Sequence, residues 1–116
     1  MLNQTVLVGR LVRDPEIKKL EDGKEVSNIT LAVQRSYKNA EGVYECDFID
    51  CTLWSNVAET TTEYCHKGDL LGVRGRIQTR MIEKEEEKAR QVTEVIGERV
   101  TFLSSGHKTK AKEKEE

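Results

Sequence analysis

Apolar and polar side chains alternate sharply along Phe48-Ile49-Asp50-Cys51-Thr52-Leu53-Trp54. Neighbouring side chains of a strand point to opposite faces. Ile49, Cys51 and Leu53 therefore share a face suited to a core, while Phe48, Asp50, Thr52 and Trp54 share the other. A second alternation sets Leu71, Val73 and Ile77 against Arg74, Arg76, Gln78 and Arg80. Upstream, Asn3 to Arg13 predicts a strand that stops at Asp14-Pro15, because proline cannot donate to a ladder. Both faces of Val6-Leu7-Val8 are apolar, which fits either a strand covered on both sides or a subunit interface. Asp22-Gly23 marks a tight turn, and Glu25 to Arg35 follows as the next strand, with Ile29, Leu31 and Val33 inward. Asn39-Ala40-Glu41-Gly42 then turns the chain into the Phe48 strand as a long hairpin.

After Trp54 the period changes. Val57, Ala58, Thr61, Tyr64 and Cys65 follow helical spacing, with Asn56 and Glu59 as a weak capping box and Lys67-Gly68 as the stop. The arginine strand comes next, then a charged hairpin tip from Glu83 to Gln91 and a last strand from Val92 to Leu103. Three strands, one short helix and two strands predict an all-β chain with the five-stranded Greek-key barrel of the OB-fold. In that fold the helix plugs one barrel end and ligands lie across strands two and three, where the Phe48–Trp54 face falls.

Composition changes this picture in two places. The 116 residues bound a single domain, read as 1–103, followed by a short charged tail at 104–116 with no aliphatic residue larger than Ala111. The net charge is -2, and without the tail 15 basic and 18 acidic groups remain, so any affinity for a polyanion must come from a local stripe. Rings on one strand and guanidiniums on another are the two parts a single-stranded nucleic acid site needs, since bases stack while phosphates meet fixed cations. The pattern alone also fits an ordinary polar outer face carrying two exposed rings.

Cys46, Cys51 and Cys65 form no Cys-x-x-Cys pair, and the first two face opposite ways on one strand, so neither a metal nor another cofactor is expected. Cys51 fits the core. An odd cysteine count, no signal peptide and no apolar run of membrane length read as a reduced, cytoplasmic protein. His66 and His107 are the only histidines, and no nucleophilic triad or phosphate loop accompanies them, so an enzyme is not expected.

The ordered set Met1-Leu2-Asn3, Val6-Leu7-Val8-Gly9-Arg10-Leu11, Asp14-Pro15-Glu16, Asn28-Ile29-Thr30-Leu31-Ala32-Val33, Phe48-Ile49-Asp50-Cys51, Lys67-Gly68-Asp69-Leu70, Gly75-Arg76-Ile77-Gln78-Thr79-Arg80 and Thr93-Glu94-Val95 resembles the bacterial single-stranded DNA-binding protein family. The resemblance covers nearly all of Met1 to Leu103. It implies a homotetramer that coats single-stranded DNA with little sequence preference during replication, recombination and repair. It further implies that Tyr37, at the base of the first hairpin, and Trp54 each take a base, with Phe48 supporting or stacking between them. Arg35, Lys38, Arg76 and Arg80, and less firmly Arg10 and Arg74, would meet phosphates. Tyr44 either closes over a bound strand or is simply exposed. An accessory primosome-type protein of the same fold and a single-stranded RNA binder are the alternative readings.

Two departures qualify the resemblance. Family members usually end in an acidic tip with a hydrophobic pair that recruits replication and repair proteins. This chain ends Lys112-Glu113-Lys114-Glu115-Glu116, so recruitment through such a tip is not expected. The family also commonly carries an aromatic where this chain has Ile82, ahead of a hairpin with four Glu. An aliphatic side chain lacks stacking worth about 1–3 kcal/mol per base. DNA is therefore expected to be held less tightly around the second hairpin than in a typical member. Replacing Ile82 with Trp should raise affinity for oligo-dT in a fluorescence titration, and unchanged affinity would overturn that expectation.

Overall fold

The computed structural model describes residues 1–84 and 87–106. Strands β1 (Thr5–Leu11), β2 (Lys18–Lys19), β3 (Glu25–Lys38) and β4 (Tyr44–Trp54) precede helix α1 (Ser55–Tyr64), and β5 (Leu70–Lys84) and β6 (Glu87–Ser104) follow it. Hydrogen bonds join the strands in the order β1-β5-β6-β4-β3-β2, and a further β1–β3 pairing closes five of them into the barrel of an OB-fold. Among the described residues β4 and β6 form the one parallel ladder, Cys51↔Val95 to Leu53↔Gly97. Residues 107–116, most of the stretch read as a tail, lie outside the described residues. Ser104 still closes β6, and the Gly106 amide donates to the buried Asp69 carboxylate at 3.0 Å.

The core is built from one side of each alternation. Leu11, Ile29, Leu31, Cys51, Leu53, Leu71, Val73 and Val95 pack together, and α1 adds Ala58 across one barrel end. Cys51 belongs to this core, and its burial pushes the thiol pKa up to about 12, whereas Cys46 is exposed on the other face of β4. The same alternation therefore sends Phe48, Asp50 and Trp54 outward.

Several local expectations are overturned. β2 is a two-residue strand with no apolar alternation to betray it, held by pairing Lys18↔Val26 and Lys19↔Glu25. Asn56 does not cap α1. Trp54 occupies the cap position without a side-chain bond, because β4 runs straight into the helix and the reversal is taken by Ser55 at φ 53, a left-handed conformation unusual outside glycine. The helix ends at Tyr64 with Cys65 extended, and Gly68 serves the turn beyond it rather than the helix stop. Tyr64 is exposed, since the buried stripe of so short a helix is only Ala58 and Thr61. Ile77, expected inward, is 48% exposed. The β5–β6 ladder runs on from there, through the stretch read as a charged tip, to Lys84↔Glu87, so Ile77 has no opposite barrel wall to cover it. Tyr37 stands near the tip of the β3–β4 hairpin rather than its base, because β3 continues to Lys38 before the Asn39 turn.

Gly75 marks the tightest approach of β5 to β6, where a Cβ would run into the Ile96 carbonyl. Gly72, three residues earlier, has room, with its nearest non-adjacent atom 3.7 Å from an added Cβ. Gly75→Ala should cost about 1–3 kcal/mol in urea denaturation, while Gly72→Ala should stay within about 0.5 kcal/mol of the parent.

Candidate nucleic-acid interface

The outward rows of four strands merge into one surface. Register sets Val26 opposite Trp54, Asn28 opposite Thr52 and Ala32 opposite Phe48 across β3 and β4. Thr52 then neighbours Ile96 on β6, and Ile96 and Glu94 face Arg76 and Gln78 on β5. Ring, polar and guanidinium rows are thus brought side by side by pairing between segments far apart in sequence.

Phe48 is 68% exposed and Trp54 is 39% exposed. Large rings left in water forgo burial free energy, and here two of them share one face. Trp54 borders a groove of about 340 Å³ with Lys18, Asn28, Thr52, Arg80 and Glu94. A polar hollow of about 210 Å³ adjoins it, sharing Asn28, Thr52, Arg80 and Glu94 and adding Arg13 and Asp50.

Polar groups in this face are tied to one another. The Thr30 hydroxyl donates to Asp50 at 2.8 Å, and Arg13 donates to Thr30 Oγ1 at 3.1 Å. Thr52 Oγ1 donates to Glu94 Oε1 at 3.0 Å, and Arg80 Nε reaches the same oxygen at 3.3 Å. Arg76 Nη1 pairs with Glu98 Oε2 at 2.7 Å. Such networks hold side chains in fixed rotamers at the cost of occupying their charges.

The other candidate residues divide by position. Lys38 lies 5.6 Å from the Tyr44 ring centroid, so this cation and ring stack near the β3–β4 hairpin tip, with Tyr37 exposed close by. Arg35 donates to Asp47 at 2.8 Å and to Glu45 at 3.1 Å. That hydrogen bond holds the Asp47 carboxyl below its ordinary pKa and raises that of Arg35. Asp47 precedes Phe48 in the strand, so Arg35 turns to the face opposite the rings. Arg10 shares the outer row with Ala32 and Phe48 and donates to the Gly68 carbonyl at 2.9 Å. Arg74 lies opposite Val6 and Arg99, away from the groove. Ile82 is half-buried opposite Arg90.

Two groove cations escaped the sequence reading. Lys18 could have been suspected from the Lys-Lys pair ahead of the Asp22-Gly23 turn. Arg13 carried no signal, since its position comes from reaching across to Thr30 and the Asn28 carbonyl on β3. Among the described residues no group of three or more His, Cys, Asp or Glu side chains could hold a metal ion, and no helix is long and apolar enough to cross a membrane.

Relatives of this chain include several single-stranded DNA-binding proteins. The Single-stranded DNA-binding protein B of Bacillus subtilis (strain 168) is 50% identical over 111 residues, which are 96% of this chain and 98% of that protein. The Single-stranded DNA-binding protein of Halalkalibacterium halodurans is 50% identical over 103 residues, 89% of this chain and 61% of that one. Single-stranded DNA-binding protein 1 of Staphylococcus aureus (strain Mu50 / ATCC 700699) is 48% identical over 103 residues, 89% of this chain and 66% of that one. The chain therefore spans nearly all of the Bacillus protein and less than two thirds of the other two. A model of the Single-strand binding protein family matches residues 2–103, and the chain belongs to that family.

Proposed function

We propose that the chain is a non-enzymatic protein that binds single-stranded DNA largely without regard to sequence and shields it during replication, recombination and repair. The observation that carries this reading is the outward pair Phe48 and Trp54, exposed beside a cationic groove. Stacking uses the π-face common to all bases, so no base-edge reader is required. The names of the relatives, which are single-stranded DNA-binding proteins, support the same conclusion. In this reading Trp54 and Phe48 take bases and Tyr37 meets a further one at the hairpin tip. Arg80, Arg76, Arg10 and Lys38 meet phosphates, joined by Arg13 and Lys18. Arg35 and Arg74 contribute through the wider field, because they stand off the ring face. Action on cellular DNA implies a cytoplasmic protein.

Trp54 is the only tryptophan, so its emission reports on the groove directly. Oligo-dT of several dozen nucleotides should quench it strongly, and matched duplex should not. The logarithm of affinity should fall with log salt by about 0.7 per phosphate contact. Trp54→Ala, followed by anisotropy of labelled DNA, should lose about 1–3 kcal/mol. Competition with a matched RNA oligonucleotide decides between DNA and RNA. Absence of quenching in a folded sample would favour an accessory protein that works through partners.

The family fold also supports a homotetramer. Val6 and Val8 point outward from β1 and are 66% and 48% exposed, more apolar surface than a strand facing water needs. Native mass spectrometry should return a tetramer, and Val6→Asp should dissociate it into smaller species. A monomer across micromolar concentrations would overturn the assembly.

A further inference from the structure

Resting on the single-stranded DNA reading above, we propose that Glu94 and Glu98 withhold Arg80 and Arg76 from the DNA backbone and so set its affinity. Both arginines project from β5 on the outer face, and both carboxylates come from the neighbouring β6. The Arg76–Glu98 pair is short, at 2.7 Å. The Arg80–Glu94 contact is 3.3 Å, and Glu94 is anchored a second time by the Thr52 hydroxyl at 3.0 Å. Its side chain is only 10% exposed, yet it lines the groove beside Trp54.

The consequence is electrostatic. Each guanidinium faces a carboxylate, so neither Arg76 nor Arg80 offers an entering phosphate an uncompensated charge. A phosphate must displace each carboxylate or share its arginine with it, and a displaced carboxylate then lies near the incoming anion. The Arg76–Glu98 pair is partly exposed on both sides and weak enough to exchange, with a cost equivalent to about a two- to fivefold loss of affinity, and the Arg80–Glu94 contact is the longer of the two at 3.3 Å. The carboxylates thus act as internal stand-ins for phosphate. They reduce the positive charge that Arg76 and Arg80 present, in a protein whose net charge is already -2. A purely positioning role, in which the carboxylates only aim the guanidiniums, makes the opposite prediction, because loss of a positioning partner weakens binding.

Glu94→Gln and Glu98→Gln remove the charge while keeping an acceptor for Thr52 and the arginines. Dissociation constants for oligo-dT, read from Trp54 fluorescence on the full chain, should tighten about two- to fivefold in each variant and further in the double variant. The gain from Glu94→Gln should vanish in an Arg80→Ala background. Glu63→Gln, a charge-matched change at an exposed position on α1, should leave affinity unchanged. Unfolding midpoints confirm that each variant is folded. Weaker or unchanged binding in both glutamine variants overturns the inference. So does a gain matched by Glu63→Gln, or one that survives loss of Arg80. If the parent protein itself fails to bind oligo-dT, the functional reading falls. If the parent binds and the glutamine variants do not tighten, only this inference falls.

Discussion

Everything on the outer face depends on the pairing of β1 with β3. Only two register positions, Arg10↔Ala32 and Leu11↔Leu31, turn an open sheet into a closed barrel. That contact requires Gly9, because a Cβ there would come within 2.7 Å of the Ala32 carbonyl oxygen. Closure puts Leu11 and Leu31 at the centre of the core and sends Arg10 and Ala32 outward in line with Phe48. It also removes sheet edges along the paired strands, which steadies the wall that carries the rings. A face that is rigid before binding loses less conformational entropy when a flexible strand settles on it.

The electrostatic design is that of an acidic protein meeting a polyanion. Long-range attraction is weak when the sum of charges is negative, so in the proposed function affinity arises at contact, from stacking and from arginines at hydrogen-bonding distance. Ion pairs across β5–β6 tie Arg76 to Glu98 and Arg80 to Glu94, which in that proposal lowers the local field and leaves the rings the larger share of the binding. The cation–ring contact of Lys38 with Tyr44 extends the same logic to the hairpin tip. Ser55, held at φ 53 where β4 becomes α1, belongs to this design as well, since it ends the strand immediately after Trp54.

Much of this was legible in the chain itself. Alternation with period two is a local property, so the inward set Ile49, Cys51 and Leu53 and the outward set Phe48, Asp50 and Trp54 could be read without coordinates. Strand order around a single helical segment sufficed for the barrel, and both principal rings were found on the expected face. Errors clustered where local signals are weak. A two-residue strand has no period, a helix entered directly from a strand needs no capping residue, and exposed ribbon beyond the barrel obeys alternation without burying its inner side, as Ile77 shows.

The sequence by itself determined which side of each strand faces the core, because that depends only on side-chain chemistry and the pleat. Tertiary structure alone decided which outward groups meet. Arg13 joins the groove by reaching across to β3, and Glu94 is brought between Thr52 and Arg80. These are contacts between residues 14 to 42 positions apart, or between strands that pair only once the barrel is closed. No local pattern encodes them, since their geometry is set by register and closure rather than by the residues that flank them.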